Sequence, residues 1–224
     1  MTVTTSGLTR AAGVCAAVAG AIFIAVQINH PPMTVASVET ADWVLRNSAK
    51  ALMAALALVG IAGMYLTQVR RMGVLGLVGA TLFSIGYLVM FGVEAIAATM
   101  LPLMTSAQPA LVGDIVLAAF GGTPVGDIGG VQILLSLMGA GFILGGLVFG
   151  IALFRAGVLW RWASGLLAIA TVGTAALAVL PDSFNRPMAV PTGIALIGLG
   201  VSLIRTTRSS ATVVASDELE RVSA

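Results

Sequence analysis

Residues 131–154 contain no charged side chain, and Arg155 follows them directly. A helix needs about 20 mostly apolar residues to cross the roughly 30 Å hydrocarbon core of a membrane, so this segment is long enough to span one. Across the chain, 58% of the residues are hydrophobic and 9% are charged, whereas about 25% of the residues of an ordinary soluble domain are charged. These proportions exclude a typical soluble enzyme, a nucleic-acid-binding protein and a disordered chain.

Six segments of this kind predict an all-α fold, a polytopic membrane helix bundle with six transmembrane helices. The predicted spans are residues 11–29, 51–68, 73–100, 131–154, 162–180 and 188–204. They form one transmembrane domain over residues 1–205, and the polar, Ser-rich segment 206–224 is expected to be a disordered cytoplasmic tail. The longest connection, 101–130, is expected to hold a short apolar helix that Pro109 opens and Gly121-Gly122 ends.

The basic residues predict the orientation of the bundle, because cytoplasmic loops of membrane proteins carry the excess of Lys and Arg. With both termini in the cytoplasm, eight basic residues lie inside, and three lie outside, namely Arg46, Lys50 and Arg186. The chain has ten Arg and one Lys and is rich in Ala, Gly, Val and Leu, which is typical of GC-rich bacteria. The sequence therefore predicts a multi-pass protein of a bacterial cytoplasmic membrane.

Glu94 is the only acidic residue well inside an apolar run, and an ionisable group at membrane depth needs a partner or a function. The short turn at Arg70-Arg71 makes the second and third spans antiparallel neighbours. Counting outward from that turn, at a rise of about 1.5 Å per residue, places Lys50 and Glu94 at similar depth. We therefore predict an ion pair between Lys50 and Glu94.

Three further side chains extend this pair into a predicted ligand-binding cluster. Tyr87 precedes Glu94 by seven residues and so lies on the same helix face, and Arg46 precedes Lys50 by four. His30 ends the first span at a similar height. Two interpretations stay open. In one, the pair is structural and His30 is a solvated helix end. In the other, the cluster lines an outward-facing pocket for a ligand, a lipid head group or a proton.

The fourth span carries two glycine pairs with four-residue spacing, Gly141 with Gly145 and Gly146 with Gly150. Such pairs let helices approach closely inside a membrane. Gly145 and Gly146 differ by about 100° around the helix axis, so the pairs face different directions. Either both pairs pack within the bundle, or one of them forms the face of a homodimer.

The residue types present limit the chemistry of the protein. The single histidine, His30, excludes a haem held by two histidines, and the sequence has neither an HExxH motif nor a nucleotide-binding glycine loop. We therefore expect no cofactor, no metal site and no nucleic-acid partner. The catalytic residues are unknown, and Glu94 is the only candidate.

The resulting prediction is a non-enzymatic integral membrane protein, a small transporter or an accessory subunit, with an outward-facing polar pocket. Its expected partners are the lipid bilayer, a lipid-like or small-molecule ligand and, in one interpretation, a second copy of the chain. Two alternatives stay open. One is an intramembrane enzyme that acts on a lipid-like or isoprenoid-like substrate with Glu94 as general acid. The other is a structural assembly partner of another membrane protein.

Overall fold

The computed structural model describes residues 3–178 and 186–222, with side chains for residues 3–176 and 186–207. Every regular element in this part of the chain is a helix. The α-helices are α1 (Thr5–Ala25), α2 (Val35–Val38), α3 (Ala41–Leu66), α4 (Val69–Thr99), α5 (Leu101–Met104), α6 (Pro109–Ala119), α7 (Gly130–Ala156), α8 (Arg161–Gly173) and α9 (Ala189–Val222).

Five helices are long and apolar enough to cross a membrane, namely α1, α3, α4, α7 and the Ala189–Thr207 part of α9. The predicted span 162–180 has a different form, because α8 covers only 13 residues before a 3-10 helix over Thr174–Ala178. Thirteen α-helical residues rise about 20 Å, which is short of a membrane core of roughly 30 Å. Residues 179–180 of that span lie outside the described residues. By helix length, the structure therefore supports five spans.

Helix α9 continues to Val222. Its backbone is thus helical over most of the polar segment 206–224, whereas the apolar part ends at Thr207. The division of the chain into a domain and a disordered tail at this point stays a prediction.

Six of these helices form a closed ring. Helix α1 packs on α3, α3 on α4, α4 on α7, α7 on α8, α8 on α9, and α9 returns to α1. One continuous cluster of buried apolar side chains receives residues from all six. The contact between α1 and α9 closes the ring, so the first and last helices of the described chain are neighbours.

Close contact between α1 and α9 depends on glycine. A Cβ atom at Gly13 would lie 2.8 Å from the carbonyl oxygen of Gly200, and a Cβ atom at Gly193 would lie 2.8 Å from the carbonyl oxygen of Gly20. Because the residue number rises along α1 as it falls along α9, the two helices are antiparallel. Lipid supplies no hydrophobic force between helices, so this backbone proximity is what gives them packing contacts.

The two glycine pairs of α7 pack on two different helices, Gly141 and Gly145 on α4 and Gly146 and Gly150 on α8. A Cβ atom at Gly141 would lie 2.8 Å from the Cα atom of Gly86. A Cβ atom at Gly150 would lie 2.7 Å from the backbone nitrogen of Ala168. Both faces are covered by the chain's own helices, which matches the internal-packing interpretation. The homodimer stays a prediction, and it requires a surface other than these two.

The ring has two chemically different ends. The polar end is defined by Lys50, Glu94, His30, Arg46 and Arg186, and the arginine end by Arg70, Arg71, Arg155, Arg161 and Arg205. At the polar end, α2, α5 and α6 pack over the ends of α3 and α4 in a second apolar cluster. Trp43 in this cluster is 3% exposed, and its Nε1 donates to the carbonyl oxygen of Ala97 at 2.8 Å.

The long connection at the polar end is ordered by its own side chains. The predicted short helix is confirmed, since Pro109 opens α6 and the helix ends at Ala119. Both carboxylate oxygens of Asp114 accept hydrogen bonds, one from the backbone nitrogen of Val125 and one from that of Gly126, each at 2.9 Å. These bonds fasten the segment after α6 back onto the helix.

Candidate functional site

The predicted contact between Lys50 and Glu94 is confirmed. Lys50 Nζ on α3 lies 3.6 Å from Glu94 Oε2 on α4, and each side chain is 16% exposed. Lys50 Nζ also donates to Asn47 Oδ1 at 3.2 Å. Asn47 is held in turn, because its Nδ2 donates to the carbonyl oxygen of Trp43 at 2.8 Å. The pair therefore joins two neighbouring helices and rests on a buried amide.

Arg46 contacts a carboxylate and several backbone carbonyl groups of the chain itself. Its Nε donates to both Asp42 carboxylate oxygens at 2.8–2.9 Å. One terminal nitrogen donates to the carbonyl oxygens of Val26 and Ile28, each at 2.9 Å. These carbonyls follow the end of α1, where no further turn supplies donors. Arg46 thus caps α1, a role that sequence reasoning did not foresee.

His30 lies in the connection that follows α1, half-buried at the polar end. Its Nδ1 is 2.9 Å from the carbonyl oxygen of Pro31, and a carbonyl only accepts, so Nδ1 carries the proton in the neutral ring. Burial, together with the positive charges of Arg186, Lys50 and Arg46, lowers the pKa of His30 to about 4, against the opposing effect of the hydrogen bond to Pro31. The imidazole is therefore neutral near pH 7, with Nε2 as an acceptor.

Tyr87 is on the predicted face of α4, but it lies in the core. It is fully buried, and its ring centroid is 4.9 Å from that of Phe83 and 5.9 Å from that of Phe142, both in edge-on contacts. Its hydroxyl group is buried and has no hydrogen-bond partner among the described residues. The structure therefore gives Tyr87 a packing role with an unused polar atom, two helical turns from Glu94.

Arg186, to which the sequence assigned a position but no role, joins this end of the bundle. It donates to Gln27 Oε1 at 3.2 Å, and its guanidinium carbon lies 4.9 Å from the ring centroid of Phe120. Burial and the positive charge of Arg46 lower its pKa. The signal in the sequence was its position, since it is one of the few basic residues outside the arginine end.

Together these residues make a mixed-charge layer. Among the described side chains, the layer has three cations, Arg46, Lys50 and Arg186, and two carboxylates, Asp42 and Glu94. Arg46 and Asp42 form an ion pair, with 2.8 Å between Arg46 Nε and Asp42 Oδ2. Lys50 and Glu94 are farther apart than the 2.7–2.9 Å or so of a tight charge-assisted hydrogen bond, so their polar atoms keep capacity for other partners.

In comparisons with known proteins, no family model, no curated protein and no solved structure matches the chain.

Proposed function

We propose that the chain is a six-span membrane protein with both termini in the cytoplasm, and that its polar end binds a small ligand or a lipid head group. It would act as a small transporter or an accessory subunit and not as a catalyst. The observation that carries the proposal is the shielded Lys50–Glu94 pair, with its 3.6 Å separation between Nζ and Oε2. Placing a charge pair at membrane depth costs free energy, so the presence of this pair favours a functional role for it.

The path of the chain after α7 supports the sixth crossing. The backbone nitrogen of Trp160, just before α8, donates to Ser202 Oγ at 3.0 Å, so the start of α8 lies beside the last turns of the apolar part of α9. Arg186, just before α9, contacts Gln27 at the polar end. These two contacts lie at opposite ends of the ring, which supports a crossing between Trp160 and Arg186 although α8 itself is short.

The chemistry of the pair favours a ligand that carries both charges. Lysine offers three N–H donors, of which one goes to Asn47 and one points to Glu94. A carboxylate or phosphate group on the ligand would accept a hydrogen bond from Lys50. An ammonium or hydroxyl group on the ligand would donate one to the Glu94 carboxylate. Because the pair is loose, a ligand replaces weak contacts with stronger ones and leaves neither charge stranded.

Native mass spectrometry of the gently extracted protein tests this proposal. The wild type is compared with Glu94→Gln, with the swapped variant Lys50→Glu/Glu94→Lys, and with the control Asp42→Asn. Asp42 belongs to the other ion pair of this end, and its side chain is 45% exposed. We expect a bound small molecule or lipid in the wild type and in the control, and none in the other two variants.

The swapped variant separates the two interpretations of the pair, because it keeps opposite charges facing each other. A folded swapped variant without the adduct supports a ligand site. Equal adducts in all four proteins, or none in the wild type, would overturn the proposal and leave the pair as a structural contact.

A further inference from the structure

A cavity of about 260 Å³ opens between α4 and α7 at the arginine end, opposite the mixed-charge layer. It is lined by Arg71, Met72, Val74, Leu75, Ala152 and Arg155. Two guanidinium groups from different helices thus border one small space whose remaining lining is apolar. The cavity is smaller than the roughly 300–1,000 Å³ of most ligand pockets, so its size suits a small charged group.

No acidic side chain among those described forms an ion pair with either arginine. Both Arg71 and Arg155 are exposed. The acidic residues whose side chains are described all lie at the other end of the ring, namely Glu39, Asp42, Glu94, Asp114 and Asp127. Two like charges beside one small cavity repel each other, and an anion placed between them removes that repulsion.

The backbone of α4 shapes the cavity. Gly73 has φ 55° and ψ −150°, which interrupts the helix between the Arg70-Arg71 turn and the long apolar stretch that follows. The space beside Gly73 is open, since a Cβ atom there would meet nothing within 4 Å. Beyond the kink, Val74 is 77% exposed and Leu75 is 38% exposed. The two arginines at the cavity therefore adjoin the exposed apolar side chains of Val74 and Leu75 on the outside of the ring.

A second cavity, of about 470 Å³, adjoins the first and shares Arg71. Gln68 lines it and is 4% exposed. The Gln68 Nε2 donates to the carbonyl oxygen of Met64 at 3.0 Å, whereas Oε1 is buried and accepts no hydrogen bond from a described residue. An unsatisfied buried acceptor is costly, and a donor group beside a bound anion would satisfy it.

We propose that the first cavity, of about 260 Å³, binds the phosphodiester group of an anionic phospholipid between Arg71 and Arg155. A guanidinium group matches phosphate with paired hydrogen bonds, and basic pockets between membrane helices are known sites for acidic head groups. The acyl chains lie along Val74 and Leu75, and a hydroxyl or ammonium donor of the head group faces Gln68. This site is distinct from the mixed-charge layer and does not depend on it.

The test is a lipid titration of the delipidated, full-length protein in detergent, followed by native mass spectrometry. The probes are dioleoyl phosphatidylglycerol and dioleoyl phosphatidylcholine, which share acyl chains and differ in net charge. We expect the wild type to prefer the anionic lipid about tenfold. Arg71→Gln and Arg155→Gln are each expected to lower its affinity about tenfold, as for the loss of one charged hydrogen bond. Gln68→Leu is expected to lower it about two- to threefold.

The matched control is Arg10→Gln, which removes the same charge from an exposed residue of α1 at the same end of the ring. Its affinity is expected to stay that of the wild type. If Arg71→Gln unfolds, Arg155→Gln and Arg71→Lys carry the test, and the lysine variant is expected to retain part of the affinity. Equal affinity for the two lipids, an equal loss in the control, or full displacement of the lipid by inorganic phosphate would overturn the proposal.

Discussion

Gly13 on α1 lies against Gly200 on α9, so closely that a Cβ atom on Gly13 would be 2.8 Å from the carbonyl oxygen of Gly200. The two residues are separated by most of the chain, and their contact closes the helix ring. The Cγ1 atom of Ile204 would also lie 2.7 Å from that Cβ atom. The Ile204 side chain can rotate away from a larger residue, whereas the backbone oxygen of Gly200 cannot.

Replacing Gly13 by alanine should therefore destabilise the protein. Overpacking a close contact costs about 1–3 kcal/mol. Gly139→Ala on α7 is the control, since a Cβ atom there meets nothing within 4 Å, and alanine favours a helix by about 1 kcal/mol over glycine. Thermal unfolding in detergent is expected to show a lower midpoint for Gly13→Ala and an unchanged or higher one for Gly139→Ala. Equal midpoints would contradict the ring contact.

Gly73→Ala should destabilise the protein for a different reason. The space around Gly73 is open, but its φ of 55° and ψ of −150° are sparsely populated by residues other than glycine. We expect a cost of about 1–3 kcal/mol from the backbone alone. Gly92→Ala, on the same helix and equally open, is the control and is expected to cost nothing.

A double-mutant cycle measures the Lys50–Glu94 pair. Lys50→Met leaves the Glu94 carboxylate without its cation, and breaking a fully buried pair costs about 3–5 kcal/mol. Because both side chains are 16% exposed, we expect a loss of about 2–3 kcal/mol, below the figure of about 3–5 for full burial. The double variant Lys50→Met/Glu94→Gln should be more stable than Lys50→Met alone. A double variant as unstable as the two single losses added together would mean that the residues do not interact.

His30 predicts a pH dependence of stability. Its pKa is lowered from 6.5 to about 4 by burial and by nearby positive charges. Between these values the unfolded chain binds a proton that the folded protein does not, so stability should fall as the pH drops from about 6.5 to about 4. The variant His30→Gln should lose this part of the dependence while keeping any other. Parallel pH profiles of the thermal midpoint for the two proteins would contradict it.

The contact between Lys50 and Glu94 could be predicted because a tight turn and a constant helical rise fix their depth. Tyr87 could be placed on a helix face, but periodicity does not say whether that face meets a ligand or a core, and Phe83 and Phe142 decide it. The contacts of Arg46 could not be predicted for a similar reason. Its partners include carbonyl groups after α1, and no pattern of side chains reveals where a loop turns its carbonyl groups.

For the glycine pairs of α7, the sequence likewise predicts which way each pair faces but not which helix it contacts. Spacing gave their two directions correctly, whereas the helices they meet depend on the order of packing around the ring. Within the predicted span 162–180, the structure changes from α- to 3-10 geometry at Thr174, and hydropathy does not register such a change.

Closure of the ring by its first and last helices has a consequence for biogenesis. The Gly13 and Gly20 face of α1 is synthesised some 180 residues before its partner on α9. Until then that face lacks the helix that covers it in the complete ring. The ring can therefore close only after α9 has been made, and a chain truncated before α9 lacks the contact that closes it.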